Sequence, residues 1–171
     1  REDLSHEEFR LLSWAIGLKA GVARPQGMAS QYIAAVRDIG TNYRAANGRG
    51  YSSSAKLDFH VDGADLTTLT CYNKAKSGGQ SMISSGVTAR NYLVKERPDL
   101  AEVASQYFYF SRQSEQASDE TPFYGQTLFD EENGHLFCKW NRNRVQSAQN
   151  LEGVPKLSDA QKETMEVLDE I

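Results

Sequence analysis

Apolar residues near the start of the chain recur at helical spacing. In "LSHEEFRLLSWAIG", Phe9, Leu12 and Ile16 fall on one face of a 3.6-residue period. Ser5 followed by Glu8 forms a capping box, each side chain satisfying the other's free backbone N–H. Gly17 offers a stop, so an amphipathic helix is expected over residues 4–17. The pattern then loosens. "YIAAVRDIG" is compatible with a short strand, and "NYRAANGRGYSSSAK" is a Gly/Ser-rich loop.

From Leu57 the character changes. "LDFHV" and "LTTLTCYN" are rich in β-branched and aromatic residues and predict strands; "KAKSGGQS" interrupts as a turn and "SMISS" resumes as a strand. "TARNYLVKERPDLAEVAS" predicts a helix broken at Arg97–Pro98, because a proline disfavours helix at the residue before it. "QYFYFSR" follows as a strand. Two alternating runs in "GQTLFDEENGHLFCKWN" then meet at Asn133–Gly134, a strong hairpin signal. Leu128, Phe129, Leu136, Phe137 and Trp140 supply its apolar surface, with Leu136 and Cys138 sharing the face of a buried Trp140. Ser158, with Gln161 at the capping-box position, opens a last helix in "PKLSDAQKETMEVLDEI" whose apolar face carries Met165 and Leu168.

A chain of 171 residues suits one domain with a real core, and 39% hydrophobic with 25% charged residues is ordinary for a globular protein. The net charge of -4, with both signs interspersed, leaves no basic footprint for nucleic acid and no polybasic segment or apolar span for a membrane. The sequence begins without Met, so residues upstream are expected to have been removed; the polar opening shows no signal peptide, and a cytoplasmic location is expected. The two cysteines, Cys71 and Cys138, stand far apart in strand-like surroundings and are expected as buried thiols of a reducing compartment.

The candidate chemistry centres on His60–Val61–Asp62. Alternate residues of a strand project to the same side, so an extended "DFHVD" would let an imidazole and a carboxylate converge on one ion towards a barrel interior. These are two of the three ligands of the facial triad of non-haem Fe(II) oxygenases. Taken alone, the tripeptide equally suits the polar face of an ordinary strand.

Its surroundings carry more. "LDFHVDGADLTTLTCYNKAKSGGQSMISSGVTARNYLVKERPDLAEV" resembles the Fe(II)/2-oxoglutarate-dependent dioxygenases of the taurine dioxygenase and γ-butyrobetaine hydroxylase (TauD-like) type. The shared order is a His-x-Asp pair, a strand, a Gly-Gly turn at Lys74 to Ser81, and a helix ending at Arg97 to Leu100. The likeness extends back to the opening helix and forward to Ile171, across nearly the whole chain. It implies an α+β fold with a double-stranded β-helix (jelly-roll) core, flanking helices outside it and a single domain over residues 1–171. It also implies Fe(II) held by His60 and Asp62. Ser81 matches the Ser/Thr that lies near 2-oxoglutarate, where a hydroxyl can donate to a carboxylate; it also suits a turn hydroxyl closing "SGGQS". Gly78 and Gly79 fit turn positions needing positive φ, with no Walker-type Gly-Lys-Ser/Thr after them. The implied partners are a small organic substrate, 2-oxoglutarate and O₂. The implied products are an oxidised, usually hydroxylated, substrate with succinate and CO₂.

The family pattern also needs a second metal histidine, and an arginine that pairs bidentately with 2-oxoglutarate. The chain has three histidines, His6, His60 and His135. His6 falls in a helical turn and His135 follows the hairpin turn, neither where the family places its second ligand. Arg142 and Arg144 alternate on what is expected as a strand, in structural or substrate-side roles. The last core strands are therefore expected to be missing, leaving an N-terminal portion of the domain that alone would be inactive. An oligomer or a partner chain could complete the sheet. Two alternatives stay open: a non-catalytic jelly-roll remnant binding a ligand or partner, and a cupin-like centre taking His135 as third ligand.

Overall fold

The computed structural model describes residues 4–26, 31–43 and 50–171. They divide into two compact units, Arg1–Val36 with Asp62–Met82, and Arg37–Val61 with Ile83–Ile171.

In the first unit α1 spans His6–Ala20. Its capping box forms as expected: the Glu8 N–H donates to Ser5 Oγ and the Ser5 N–H donates to Glu8 Oε2 at 2.7 Å. The Ser5 hydroxyl and the Ser5 N–H both favour the ionised Glu8 carboxyl and lower its pKa. The helix does not stop at Gly17. It runs one turn further, and the Gly21 N–H closes it on the Gly17 carbonyl.

The covered stripe of α1 is also not the expected one. Leu12 and Ile16 are exposed, while Phe9, Ser13 and Gly17 meet Tyr72, Thr70 and Thr68 in turn. Phe9 packs on the Tyr72 ring at 5.1 Å, Thr70 Oγ1 donates to Ser13 Oγ at 2.8 Å, and a Cβ on Gly17 would stand 3.9 Å from Thr68 Oγ1. Every fourth residue of the helix thus addresses every second residue of an extended segment running the other way.

The second unit holds the remaining elements: a 3₁₀ turn at Gly50–Ser52, α2 at Gly86–Glu96, α3 at Pro98–Ala104, β1 at Phe108–Ser111, β2 at Phe123–Gln126, β3 at Phe129–Glu132, β4 at His135–Cys138, α4 at Arg142–Ala148 and α5 at Asp159–Glu170. The break between α2 and α3 falls at Arg97–Pro98, with the proline at the first position of α3, where its missing N–H costs nothing. The strands form two antiparallel pairs, β1 with β2 and β3 with β4. Asn133 and Gly134, at φ 54 and 76, make the tight turn between β3 and β4.

Trp140 is 7% exposed and joins Leu93, Leu100, Phe108, Phe110, Leu128, Phe129, Val145 and Met165 in one buried cluster. Leu136 and Cys138 pack against it from the same face of β4, while Phe137 points outward at 48% exposure. Each fully buried Leu or Phe of this cluster contributes roughly 1.5–3 kcal/mol of transfer free energy. Helix α5 carries the expected capping box at Ser158 and Gln161 and buries Met165. Its polar side is tied down by Arg97 to Glu163 at 2.7 Å and by Arg142 to Glu166 at 2.7 Å.

The structure is α+β with short antiparallel strands, as expected, but several anticipated strands are not ladders. Residues 57–61, 66–73 and 81–85 run without regular strand pairing, as does "YIAAVRDIG" at 32–40, and Leu69 and Ile83 are 70% and 95% exposed. β-propensity makes a segment ready to pair but does not supply the partner, and among the described residues one isolated bridge, His60 with Asn141, forms there. Part of the Gly/Ser-rich loop, at 44–49, lies outside the described residues. Arg142 and Arg144 are helical rather than strand residues, because Asn141 caps α4 by accepting the Arg144 N–H at 3.0 Å. Cys71 is exposed and Cys138 half-buried, both as free thiols. The expectation of two buried thiols holds for neither in full. Among the described residues, no helix is long and apolar enough to cross a membrane.

Candidate metal centre

His60 belongs to the second unit. Its backbone is extended and forms a single antiparallel bridge with Asn141, next to a 2.8 Å bond from the Val61 N–H to the Trp140 carbonyl. Val61 packs against the core, so the chain is fastened one residue beyond the histidine. The imidazole itself is exposed, and its Nδ1 lies 2.8 Å from the Asp58 carbonyl oxygen. A carbonyl only accepts, so Nδ1 is the donor in this contact. That is the arrangement of a metal-ligating histidine, whose second nitrogen is held by an outer partner.

Asp62 belongs to the first unit and is exposed. Its Oδ2 accepts a long hydrogen bond, 3.4 Å, from Thr67 Oγ1. Neither residue sits in a regular strand, which corrects the expectation of one continuous strand presenting both into a barrel interior. Ser81 is exposed in irregular chain, after Gly78 and Gly79 at φ 72 and 74. These two positive φ values are the turn conformation expected of the glycines.

The remaining candidates have local employment. His6 stands in the first turn of α1 with its ring edge-on to Tyr72 at 5.1 Å. His135 opens β4 opposite Glu132 and is exposed. The Arg142 side chain, 17% exposed, reaches Glu166 and Asp169. Burial works against its charge, but the two carboxylates outweigh it and raise the pKa. Arg144 donates to the Ser111 carbonyl and to Glu115, each at 3.2 Å. Both arginines are structural here. Among the described residues, no group of three or more His, Cys, Asp or Glu side chains gathers.

Asp58, Thr67 and Asn141 were not anticipated as companions of the candidate ligands. The Asp58 carbonyl and the Thr67 hydroxyl left no signal in the sequence. Asn141 had one, an Asn three residues ahead of a helix N–H, but the alternating arginines masked it.

The family described as taurine catabolism dioxygenase TauD, TfdA family, matches residues 1–171. The chain belongs to the TauD/TfdA family. Members are typically iron- and 2-oxoglutarate-dependent oxygenases. FR-33289 synthase of Streptomyces rubellomurinus (strain ATCC 31215) is 29% identical over 140 residues, covering 81% of this chain and 41% of the relative. The taurine hydroxylase-like protein SAT17 of Stachybotrys chartarum (strain CBS 109288 / IBT 7711) is 27% identical over 84 residues, 49% of this chain and 21% of the relative. The chain thus spans less than half the length of these TauD-like relatives. An imidazole nitrogen and a carboxylate, each with an outer partner, are donors that suit the Fe(II) this family uses.

Proposed function

We propose that residues 1–171 are part of an Fe(II)/2-oxoglutarate-dependent dioxygenase that oxidises a small organic substrate. In the balanced reaction, substrate, 2-oxoglutarate and O₂ give hydroxylated substrate, succinate and CO₂. The observation that carries this reading is the bond between His60 Nδ1 and a backbone carbonyl in a TauD-family chain, the outer contact that a ligating histidine uses.

His60 and Asp62 would hold the iron, and Thr67 would steady the Asp62 carboxylate. Fe(II) bound there would supply the redox chemistry that lets O₂ react. Ser81 would donate its hydroxyl to a carboxylate of 2-oxoglutarate. The third ligand and the arginine for 2-oxoglutarate would come from outside residues 1–171, so this stretch is read as an N-terminal portion of the catalytic domain.

The test pairs two assays on wild type and His60→Ala. Titration with Co(II) should show weak binding that the substitution abolishes. Succinate release from 2-oxoglutarate under Fe(II) and ascorbate should be absent in the 171-residue chain and restored in a longer chain. Tight binding that survives His60→Ala would overturn the assignment. Metal binding without succinate release in the longer chain would favour a ligand-binding remnant.

A further inference from the structure

Asn141 faces His60 across an antiparallel backbone bridge. The register of the bridge fixes the kind of pair. The Val61 N–H to Trp140 carbonyl bond lies one step outside 60 and 141, so His60 and Asn141 form a non-hydrogen-bonded antiparallel pair. In such pairs the Cα atoms stand about 4.5 Å apart with both side chains on one face of the ribbon. The Asn141 side chain therefore leaves the ribbon on the same face as the imidazole.

Asn141 is at the same time the N-cap of α4, at φ -163 and ψ 96, with its Oδ1 taken by the Arg144 N–H. A cap residue must hold an extended backbone, and an antiparallel bridge requires the same. One residue thus satisfies two demands with one conformation. Behind it α4 is firmly seated: Val145 and Ala148 are fully buried, Arg144 is bonded to Ser111 and Glu115, and Arg142 to Glu166 and Asp169. The side-chain cap works with the Val145 N–H bond to the Asn141 carbonyl and the Val61–Trp140 bond to hold residue 141 extended, so removing it loosens the partner strand of His60.

We infer that Asn141 is a positioning residue for His60, carrying the rigidity of α4 to the candidate metal ligand. The inference rests on the metal reading of His60 and deepens it. Outer groups that orient a ligating histidine change metal affinity by about 10- to 100-fold when removed.

The experiment measures the exchange rate of the Val61 amide in the metal-free chain and Co(II) affinity by titration. The variants are Asn141→Ala, Asn141→Asp, which retains a capping oxygen, and Asn141→Gly, which keeps most of the helix stability if the alanine variant folds poorly. Ser158→Ala, which removes the equivalent cap from α5, is the control. Asn141→Ala and Asn141→Gly should speed Val61 exchange about tenfold and weaken Co(II) about tenfold. Asn141→Asp should preserve the slow exchange, and Ser158→Ala should leave both readouts near wild type while lowering Tm. Val61 exchange within about twofold of wild type in both cap-free variants, or equal acceleration by Ser158→Ala, would overturn the inference. Absence of any His60-dependent Co(II) binding in wild type would sink the metal reading instead, and Val61 exchange would still decide the structural coupling.

Discussion

Gly86 lies so close to Cys138 that a Cβ built on it would stand 3.2 Å from both the Cβ and the Sγ of the cysteine. Gly86 opens α2, so Gly86→Ala should gain up to about 1 kcal/mol of helix propensity. The contact costs more, about 1–3 kcal/mol for overpacking, because a Cβ–Cβ clash cannot be relieved by turning a side chain. A net loss of about 1 kcal/mol is expected in urea denaturation. Cys138→Ala in the same background should recover only part of it, since the Cβ remains. A raised midpoint in the single variant would mean that α2 shifts away at no cost.

Cys138 should also differ from Cys71 in reactivity. Burial pushes the Cys138 thiol above its ordinary value of 9.0, while Cys71 is exposed. The thiolate is the reacting species, so a disulfide reagent near neutral pH should label Cys71 quickly and Cys138 slowly, and Cys71→Ser should remove the fast phase. The folded chain retains a proton on Cys138 that the unfolded chain releases. Its contribution to stability is therefore whole below the unfolded thiol value and lost as pH rises above it. Cys138→Ala should flatten that alkaline loss. Two equally fast labelling phases would contradict the burial.

Gly134→Val tests the hairpin. At φ 76 a β-branched side chain meets the following carbonyl, at a cost of about 1–2 kcal/mol. Asn133 tolerates its own positive φ because Asn visits that region readily. Fluorescence of Trp140 during denaturation should report the lowered midpoint, and an unchanged one would mean that the turn re-forms differently.

The tautomer of His60 can be read directly. Long-range ¹⁵N–¹H correlation of the neutral ring should show the proton on Nδ1, where the Asp58 carbonyl takes it. A predominantly Nε2–H ring would remove the feature that prepares this histidine for a metal.

What was legible in the sequence was local. The capping boxes at Ser5 and Ser158, the break at Arg97–Pro98 and the Asn133–Gly134 turn are each specified within a few residues, and each formed. What was not legible depends on distant partners. Leu69 and Ile83 have strand-forming neighbours but no ladder, and Gly17 could not end α1 because Leu18 to Ala20 continue the hydrogen bonds past it. The helical placement of Arg142 hinged on which of two rules governs "NRNRV", alternation or the Asn141 cap. His60 and Asp62 could be singled out by type and spacing, whereas the link from Asn141 to His60 depends on an 81-residue separation that no local pattern encodes.

The seam between α1 and Thr68–Tyr72 works like a vernier scale. Four helical residues advance about 6.0 Å and two extended residues about 6.6 Å, so each step of the match slips by about 0.6 Å. After about five steps the error nears one strand residue, about 3.3 Å, whose side chain points the opposite way. Three successive contacts at Phe9, Ser13 and Gly17 lie within that tolerance. The seam thus limits its own length, and a longer helix would run out of phase with the segment instead of gripping it further.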